Sequence, residues 1–183
     1  MTETKPQLRT RMKALRETLD PALGFALARH VLAANLIPPN TTVAGYIPLH
    51  GEIDIMPLLL ALHERGQTLC LPETPPKGHP LIFRTWQPAI PLTTGRFNTK
   101  HPLTEQVTPD IILTPLLAFD HLGNRLGFGA GYYDRTFAKY PQALRIGIAF
   151  AAQKTGKIPT DQYDLPLHLI ATEQSVSSTK NAA

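Results

Sequence analysis

Apolar and polar positions follow two rhythms along the chain, one of helical period and one of short apolar runs bounded by turn residues. In "TKPQLRTRMKALRETLD", Leu8, Met12, Leu15 and Leu19 recur at helical spacing. The spacing predicts a helix with Thr4 as its cap and Pro6 in its first turn. Lys5, Arg9 and Arg16 fall on an adjacent stripe, within roughly 40° of one another at about 100° per residue. The helix can therefore dock by its apolar side and set three cations along one edge; a solvated basic face is the other reading. A second helix is expected over "PALGFALARHVLAANLI", capped by Asp20 and stopped by Pro38 and Pro39. "TTVAGYIPL" reads as a strand, and "DIMPLLLALHERG" as a helix capped by Asp54 and ended at Gly66. "QTLCLP" follows as a strand, giving a strand–helix–strand unit with the right-handed crossover of a parallel pair.

The same patterning continues with strands over "PLIFRTW", the wholly apolar "DIILTP", "LRIGIAF" and "LHLIATE", and with a helix over "GYYDRTFAKY". Residues 87 to 109 are polar, proline-rich and weakly patterned, so a long irregular connection is expected there. The alternation predicts one α/β domain over residues 1–175, with a mostly parallel sheet and helices on both faces. A flexible tail is expected over 176–183, since "QSVSSTKNAA" is small and polar. In such sheets ligands bind beyond the carboxyl ends of the strands. That rule selects three loops: Leu49 to Asp54, Leu116 to Asp134, and Ala151 to Asp164.

Composition narrows the class. The chain has 183 residues, 43% of them hydrophobic and 17% charged, an ordinary globular balance. Net charge is +4, but the basic residues are not gathered into a block or stripe, so a polyanionic small molecule suits the chain as well as nucleic acid does. The single cysteine, Cys70, lies in an apolar run and reads as a small buried hydrophobe. No apolar run reaches the roughly 18 residues of a membrane helix, and no signal peptide opens the chain. A cytoplasmic, monomeric protein is expected, without membrane or nucleic-acid partners. The seven histidines show no metal-ligand spacing. Many of the 18 prolines, among them Pro48, Pro72, Pro115 and Pro159, follow apolar runs as corners.

The chemistry concentrates in "GNRLGFGAGYYDRTFAKY". Gly127, Gly129 and Gly131 alternate ahead of a helix, so the backbone can take φ > 0 and approach a ligand closely. Amides at a helix start suit phosphate oxygens, while a tight strand-to-helix turn remains the plain alternative. The loop lacks the Gly-Lys-Ser/Thr of a Walker loop. Asp134 follows the loop at once, and "IPTDQYDLP" offers Asp161 and Asp164. One or two carboxylates completed by phosphate and water are what a magnesium ion asks for; helix caps or Asx turns are the alternative. Glu52 reads either as a cap or solvent-facing acid or as an acceptor for the hydrogen bonds of an amino-pyrimidine ring. Tyr46, Trp86, Tyr132 and Tyr133 supply flat surfaces for a planar ring, with the core as the alternative place for most of them, and Phe83 reads as core.

"AFDHLGNRLGFGAGYYDR" closely resembles the signature of the 5-formyltetrahydrofolate cyclo-ligase family, the methenyltetrahydrofolate synthetases. "KPQLR", "YIPLHGEID", "LCLP", "FRTW" and "IAFAAQKTGKIPTDQYD" extend the resemblance over roughly residues 5 to 173. The resemblance implies a three-layer α/β/α sandwich similar to sugar-phosphate isomerases and CoA transferases. It implies ATP- and magnesium-dependent conversion of 5-formyltetrahydrofolate to 5,10-methenyltetrahydrofolate, with ADP and phosphate released. By position, Lys5 and Arg9 match cations that contact ATP phosphates. Arg125, Leu126, Gly127, Phe128, Gly129, Ala130, Gly131, Tyr132 and Tyr133 match the nucleotide loop, with Arg125 and Tyr133 as candidate catalytic groups. Glu52 matches an acid that holds folate; Phe128 to Tyr132 border the folate as well, and Tyr46 and Trp86 are candidate contacts. Asp134 and Asp164 match magnesium ligands. Some relatives carry a lysine at the position of Ala130, so any charge needed there falls to Arg125, Arg135 or Lys5. A sugar-phosphate isomerase using Glu52 or Asp120 as base, or a non-catalytic folate- or RNA-binding relative, are the competing classes.

Overall fold

The computed structural model describes residues 3–49 and 51–180; His50, part of the "YIPLHGEID" match, and the last three residues of the expected tail lie outside them. Helix α1 (Lys5–Arg16) leads to a 3-10 turn (Pro21–Leu23), α2 (Gly24–Ala33), β1 (Thr42–Ala44), α3 (Met56–Glu64), β2 (Thr68–Glu73) and β3 (Ile82–Trp86). After β4 (Thr93–Thr94), a 3-10 turn (Arg96–Asn98) and β5 (Lys100–His101) come β6 (Ile111–Pro115), β7 (Ala118–Phe119) and β8 (Arg125–Leu126). Helix α4 (Tyr132–Lys139), β9 (Leu144–Ile148), a 3-10 turn (Ala151–Gln153), β10 (Leu169–Ala171) and β11 (Val176–Ser178) complete the chain.

Local chemistry sets the helix starts. The Asp20 carboxylate accepts from the Ala22 amide at 2.9 Å, and the Asp54 carboxylate from the Met56 amide at 2.8 Å. Both satisfy donors that a helix start leaves open. Helix α2 stops before Pro38, at Ala33, where Asn35 turns into the left-handed region with φ 50°; a short polar side chain tolerates that conformation.

Seven strands form the central sheet in the order β11-β10-β9-β6-β1-β2-β3. The five inner strands are parallel, with an antiparallel strand on each edge. The period-2 rule divides the sheet's side chains between two cores. Val43, Leu69, Leu71, Ile111 and Leu113 pack with Leu27, Val31, Leu58 and Leu62 of α2 and α3. Their neighbours Ala44, Cys70 and Ile112 pack with Phe83 and with Phe137 of α4 on the other face. The three-layer arrangement follows directly. Helix α1 stands outside this sandwich and buries Leu8 and Met12 against Leu117, Ala118, Leu126 and Ile158.

Two expectations change. The tail does not fray at its start: residues 176–178 pair antiparallel with β10, and the Thr179 hydroxyl donates to the Leu167 carbonyl at 2.7 Å. A small, polar strand is enough at a sheet edge, where one side faces solvent. Within "AFDHLGNRLG", a β7–β8 hairpin replaces a plain loop. Asp120, 1% exposed, holds its turn by accepting from the amides of Leu122 and Asn124, the Asn124 side chain and the Ile158 amide.

Candidate active site

A cleft of about 970 Å³ opens at the carboxyl ends of the parallel strands. Its walls come from the segments after β1 (Tyr46, Leu49, Glu52), β2 (Thr74, Lys77) and β6 (Arg125 through Arg135), and from the loop after β9 (Asp161, Tyr163, Asp164), with Lys5 and Arg9 of α1 across the top. All three loops selected from the sequence contribute, because parallel strands deliver their following loops to one edge.

The glycine loop takes its shape from two of its three glycines. Gly129 and Gly131 have φ of 97° and 68°, whereas Gly127 is not in the left-handed region. A Cβ at Gly129 would lie 3.3 Å from the Arg9 guanidinium, and one at Gly131 2.9 Å from Arg135 Nη1. The left-handed backbone is what disfavours side chains at both positions, since the arginine tips can shift. Gly127 contributes its carbonyl, which accepts from Arg9 Nε at 2.9 Å. Gly131 caps α4, so the open amides of the helix start face the cleft beside Arg9 and Arg135.

The three cations of α1 diverge in role. Lys5 Nζ lies 2.7 Å from Asp164 Oδ2 and 3.3 Å from Asp161 Oδ2. Arg9 reads the glycine loop. Arg16 is buried and sits 3.5 Å from Glu52 Oε1, with its guanidinium 5.4 Å from the centre of the half-exposed Phe128 ring. The solvated-face reading of this helix therefore does not hold for these three side chains.

Asp134 accepts from Arg125 Nη2 at 2.6 Å and from the Leu165 amide at 3.4 Å, both on Oδ1. Asp164 Oδ2 accepts from Lys5 and from the Asp161 amide at 2.9 Å. Each carboxylate therefore keeps one oxygen without a hydrogen bond among the described residues. No group of three or more His, Cys, Asp and Glu side chains is placed to hold a metal among those residues. Two carboxylate oxygens left open beside the amides of the α4 start fit a magnesium ion, which would complete its shell from a ligand's oxygens and water.

Glu52, 5% exposed, accepts from the Leu49 amide at 2.9 Å. Burial pushes its carboxyl above the ordinary range, against the Leu49 amide and Arg16, which pull it down. Burial also pushes the Tyr46 and Tyr133 phenols up, with the Glu52 charge adding to it, so both remain protonated donors at neutral pH. The buried Tyr46 hydroxyl has no hydrogen-bond partner among the described residues. The Tyr132 hydroxyl donates to the Pro75 carbonyl at 2.9 Å, fixing its ring as a wall.

Trp86 does not belong here. It pairs with Leu69 at the start of β2 and packs in the α2/α3 core, 6% exposed. That is the amino end of β2, and the cleft opens at the other end, so Trp86 cannot stack on a ligand. Asp120 is likewise consumed by its four hydrogen bonds and leaves Glu52 as the remaining base for an isomerase. At Ala130 the carbonyl accepts from Arg135 Nη2 at 2.6 Å. Lys5 and Arg125 are occupied with carboxylates, so Arg135 is the cation set against that loop position. The sequence reading missed Lys77, Phe97, Thr99 and Lys100 as lining residues; the only signal was Phe97, a lone aromatic in the polar run "TTGRFNTK".

With the geometry in place, similarity to known proteins points one way. The model of the 5-formyltetrahydrofolate cyclo-ligase family matches residues 1–173. The 5-formyltetrahydrofolate cyclo-ligase of Haemophilus influenzae is 32% identical over 91% of this chain and 96% of its own length. That of Escherichia coli K12 is 30% identical over 92% and 98%. The solution structure of Aquifex aeolicus 5,10-methenyltetrahydrofolate synthetase superposes with a TM-score of 0.77 at 31% identity, covering 96% of this chain and 93% of that one. The Mycoplasma pneumoniae synthetase gives 0.74 at 26% identity, covering 92% and 98%.

Proposed function

The chain belongs to the 5-formyltetrahydrofolate cyclo-ligase family, and on that premise we propose that it converts 5-formyltetrahydrofolate to 5,10-methenyltetrahydrofolate, turning ATP into ADP and phosphate. The observation that carries the reading is the glycine loop flanked by Arg9, Arg135 and two partly free carboxylates, all on one cleft with Glu52.

The reaction asks for little covalent chemistry from the protein. A formyl amide is a poor electrophile because its nitrogen donates into the carbonyl. The formyl oxygen attacks the γ-phosphorus, the bond to the bridging oxygen breaks, and ADP leaves. The formyl carbon is now part of an iminium bearing a phosphate. The second folate nitrogen attacks it, closes the five-membered ring and loses its proton; the carbon–oxygen bond then breaks and phosphate departs. Positioning and charge neutralisation dominate such a transfer.

In this reading Lys5, Arg9 and the loop Arg125–Tyr133 receive ATP, with the amides of the α4 start and Arg135 on its phosphates. Asp134 and Asp164 hold magnesium, which neutralises triphosphate charge when bound. Arg125 orients Asp134, and Tyr133, protonated and half-buried in the same cleft, donates toward the reacting oxygens. Glu52 and Tyr46 hold the pyrimidine side of the folate, bordered by Phe128 through Tyr132. All of these residues come from one chain, in keeping with a monomer. Among the described residues no helix is long and apolar enough to cross a membrane, and we place the enzyme in the cytoplasm with its soluble substrates.

The test is the growth of methenyltetrahydrofolate absorbance from 5-formyltetrahydrofolate, with and without ATP and magnesium. Product that depends on both is expected; folded protein that makes none with both present would sink the reading.

A further inference from the structure

Arg16 continues the docking stripe of α1. Leu8, Met12 and Arg16 recur four residues apart, and all three are buried. Side chains at that spacing stand one above another on a helix face. Seating Leu8 and Met12 against Leu117, Leu126 and Ile158 therefore carries the guanidinium inward with them. A buried cation costs free energy unless a charge meets it. Glu52, itself 5% exposed, supplies that charge, with Arg16 Nη1 at 3.5 Å from its Oε1. Glu52 lines the cleft, whereas Arg16 is not among the residues that line it. The cation thus acts on a ligand through the acid.

The surroundings hold the pair in one geometry. Leu49 and Glu52 close a turn on each other. The Glu52 amide donates to the Leu49 carbonyl at 3.0 Å, and Glu52 Oε2 accepts from the Leu49 amide at 2.9 Å. Gly51, at φ 76°, lays that turn on the arginine: a Cβ there would fall 3.7 Å from Nε. The Phe128 ring covers the guanidinium at 5.4 Å and faces the Lys13 ammonium at 5.8 Å. Tyr46 and Asp54 after β1 and Tyr133 of α4, backed by Arg125 of β8, are the other ionisable groups around the acid. Burial pushes the Glu52 carboxyl up, and Arg16 is the cation that pulls it down. Each carboxylate oxygen has two lone-pair sites, so Oε1 and Oε2 both retain one for a ligand.

We propose that Arg16 is a positioning residue for folate: it keeps the Glu52 carboxylate charged and turned so that both oxygens accept from the amino-pyrimidine edge. This rests on the reading that places the folate ring at Glu52. An amino-pyrimidinone presents two adjacent N–H donors, and an ionised carboxylate accepts both side by side. A neutral carboxyl carries a hydroxyl, which sets a donor against one of those donors. Without the arginine, the desolvated acid takes up its proton at higher pH, and folate is lost where wild type still binds it.

Dissociation constants for 5-formyltetrahydrofolate, by equilibrium dialysis from the ordinary carboxylate range to above neutrality, test this. Wild type is compared with Arg16→Met, Arg16→Lys, Glu52→Gln and the double variant Arg16→Met/Glu52→Gln, so the ligand's own titration cancels. Wild-type affinity is expected to fall as pH drops through the Glu52 midpoint. Arg16→Met moves that midpoint up by about 1–3 pH units, a loss of about tenfold in affinity per unit at pH below it. Arg16→Lys restores the charge and brings the midpoint back toward wild type. Carbon-13 titration of the Glu52 carboxyl without ligand shows the same displacement. In the Glu52→Gln background, Arg16→Met changes affinity by no more than about twofold. The double variant holds no unpaired carboxylate, so it decides the point if Arg16→Met alone does not fold. A midpoint that stays in place, or affinity lost by one factor at every pH, overturns the proposal. So does a loss of about tenfold in the Glu52→Gln background, since Arg16 would then serve the loop rather than the charge. Binding whose midpoint follows Arg16 without methenyl product would remove the proposed reaction and leave the positioning role; turnover with a midpoint indifferent to Arg16 would do the reverse.

Discussion

Arg125 Nη2 donates to Asp134 Oδ1 across 2.6 Å, joining the β8 strand to the first turn of α4. The same guanidinium donates to the Leu165 carbonyl at 2.7 Å and lies 4.6 Å from the Phe137 ring centre. One buried cation thus orients a proposed magnesium ligand and fastens the loop that carries the other, Asp164. Arg125→Ala leaves Asp134 without its cation and opens the α4 core, so a loss of about 3 kcal/mol in unfolding free energy is expected. Asp134→Asn keeps an acceptor for Arg125 and is expected to stay folded while losing magnesium-dependent turnover. Urea unfolding and turnover against magnesium concentration separate the two effects; wild-type turnover in Asp134→Asn would remove it from the metal role.

Lys5 and Asp164 meet at 2.7 Å with both side chains about a quarter exposed. Partly solvated pairs contribute roughly 0–1 kcal/mol to stability. Lys5→Met is therefore expected to unfold within about 1 kcal/mol of wild type but to bind ATP about tenfold more weakly, since a phosphate contact carries a charge-assisted hydrogen bond. A Lys5→Met protein with wild-type KM for ATP would show that Lys5 serves only to hold the Asp161–Asp164 loop.

Glu52 carries a pH signature. Burial raises its carboxyl pKa in the folded chain despite the Leu49 amide and Arg16. A group that holds its proton more tightly folded than unfolded adds stability below its unfolded pKa, and that contribution fades as pH rises through the folded value. Relative to Glu52→Gln, wild type should therefore lose unfolding free energy as pH climbs from the ordinary carboxylate range toward neutrality. Urea unfolding of both proteins across that window checks it; a pH-independent difference would refute it. The same substitution should raise KM for folate about tenfold, because a carboxylate accepts two charge-assisted hydrogen bonds and a carboxamide one.

How much of this the sequence disclosed depends on the range of the interactions. Strands such as "DIILTP" and the stripe of Leu8, Met12, Leu15 and Leu19 were legible because burial on a sheet or helix face imposes a local period. The glycine loop and the acids around it were legible because the strand-end rule gathers them. The β7–β8 hairpin was not, since its turn is held by Asp120 reaching Ile158, a contact remote in sequence. Phe97 and Lys100 were hidden for the same reason: the connection that bears them has no period of its own and is placed by long-range contact with β2 and Tyr132. Arg16 looked like a surface charge until Glu52, 36 positions away, met it.

Trp86 shows the limit of reading an aromatic by its chemistry. An indole suits a planar ligand and the hydrophobic core equally, and only the strand's register decides. Paired with Leu69, Trp86 lies at the amino end of β2 with Nε1 buried and without a partner among the described residues. Trp86→Phe removes that unsatisfied donor and part of a buried ring. The cavity term and the relieved donor oppose each other, so unfolding free energy should change by no more than about 2 kcal/mol. The variant's KM values for folate and ATP should stay within about twofold of wild type, a difference worth about 0.4 kcal/mol. Steady-state kinetics on the folded variant settle the point: a KM for folate raised tenfold would return Trp86 to the substrate site and require β2 to present its other end to the cleft.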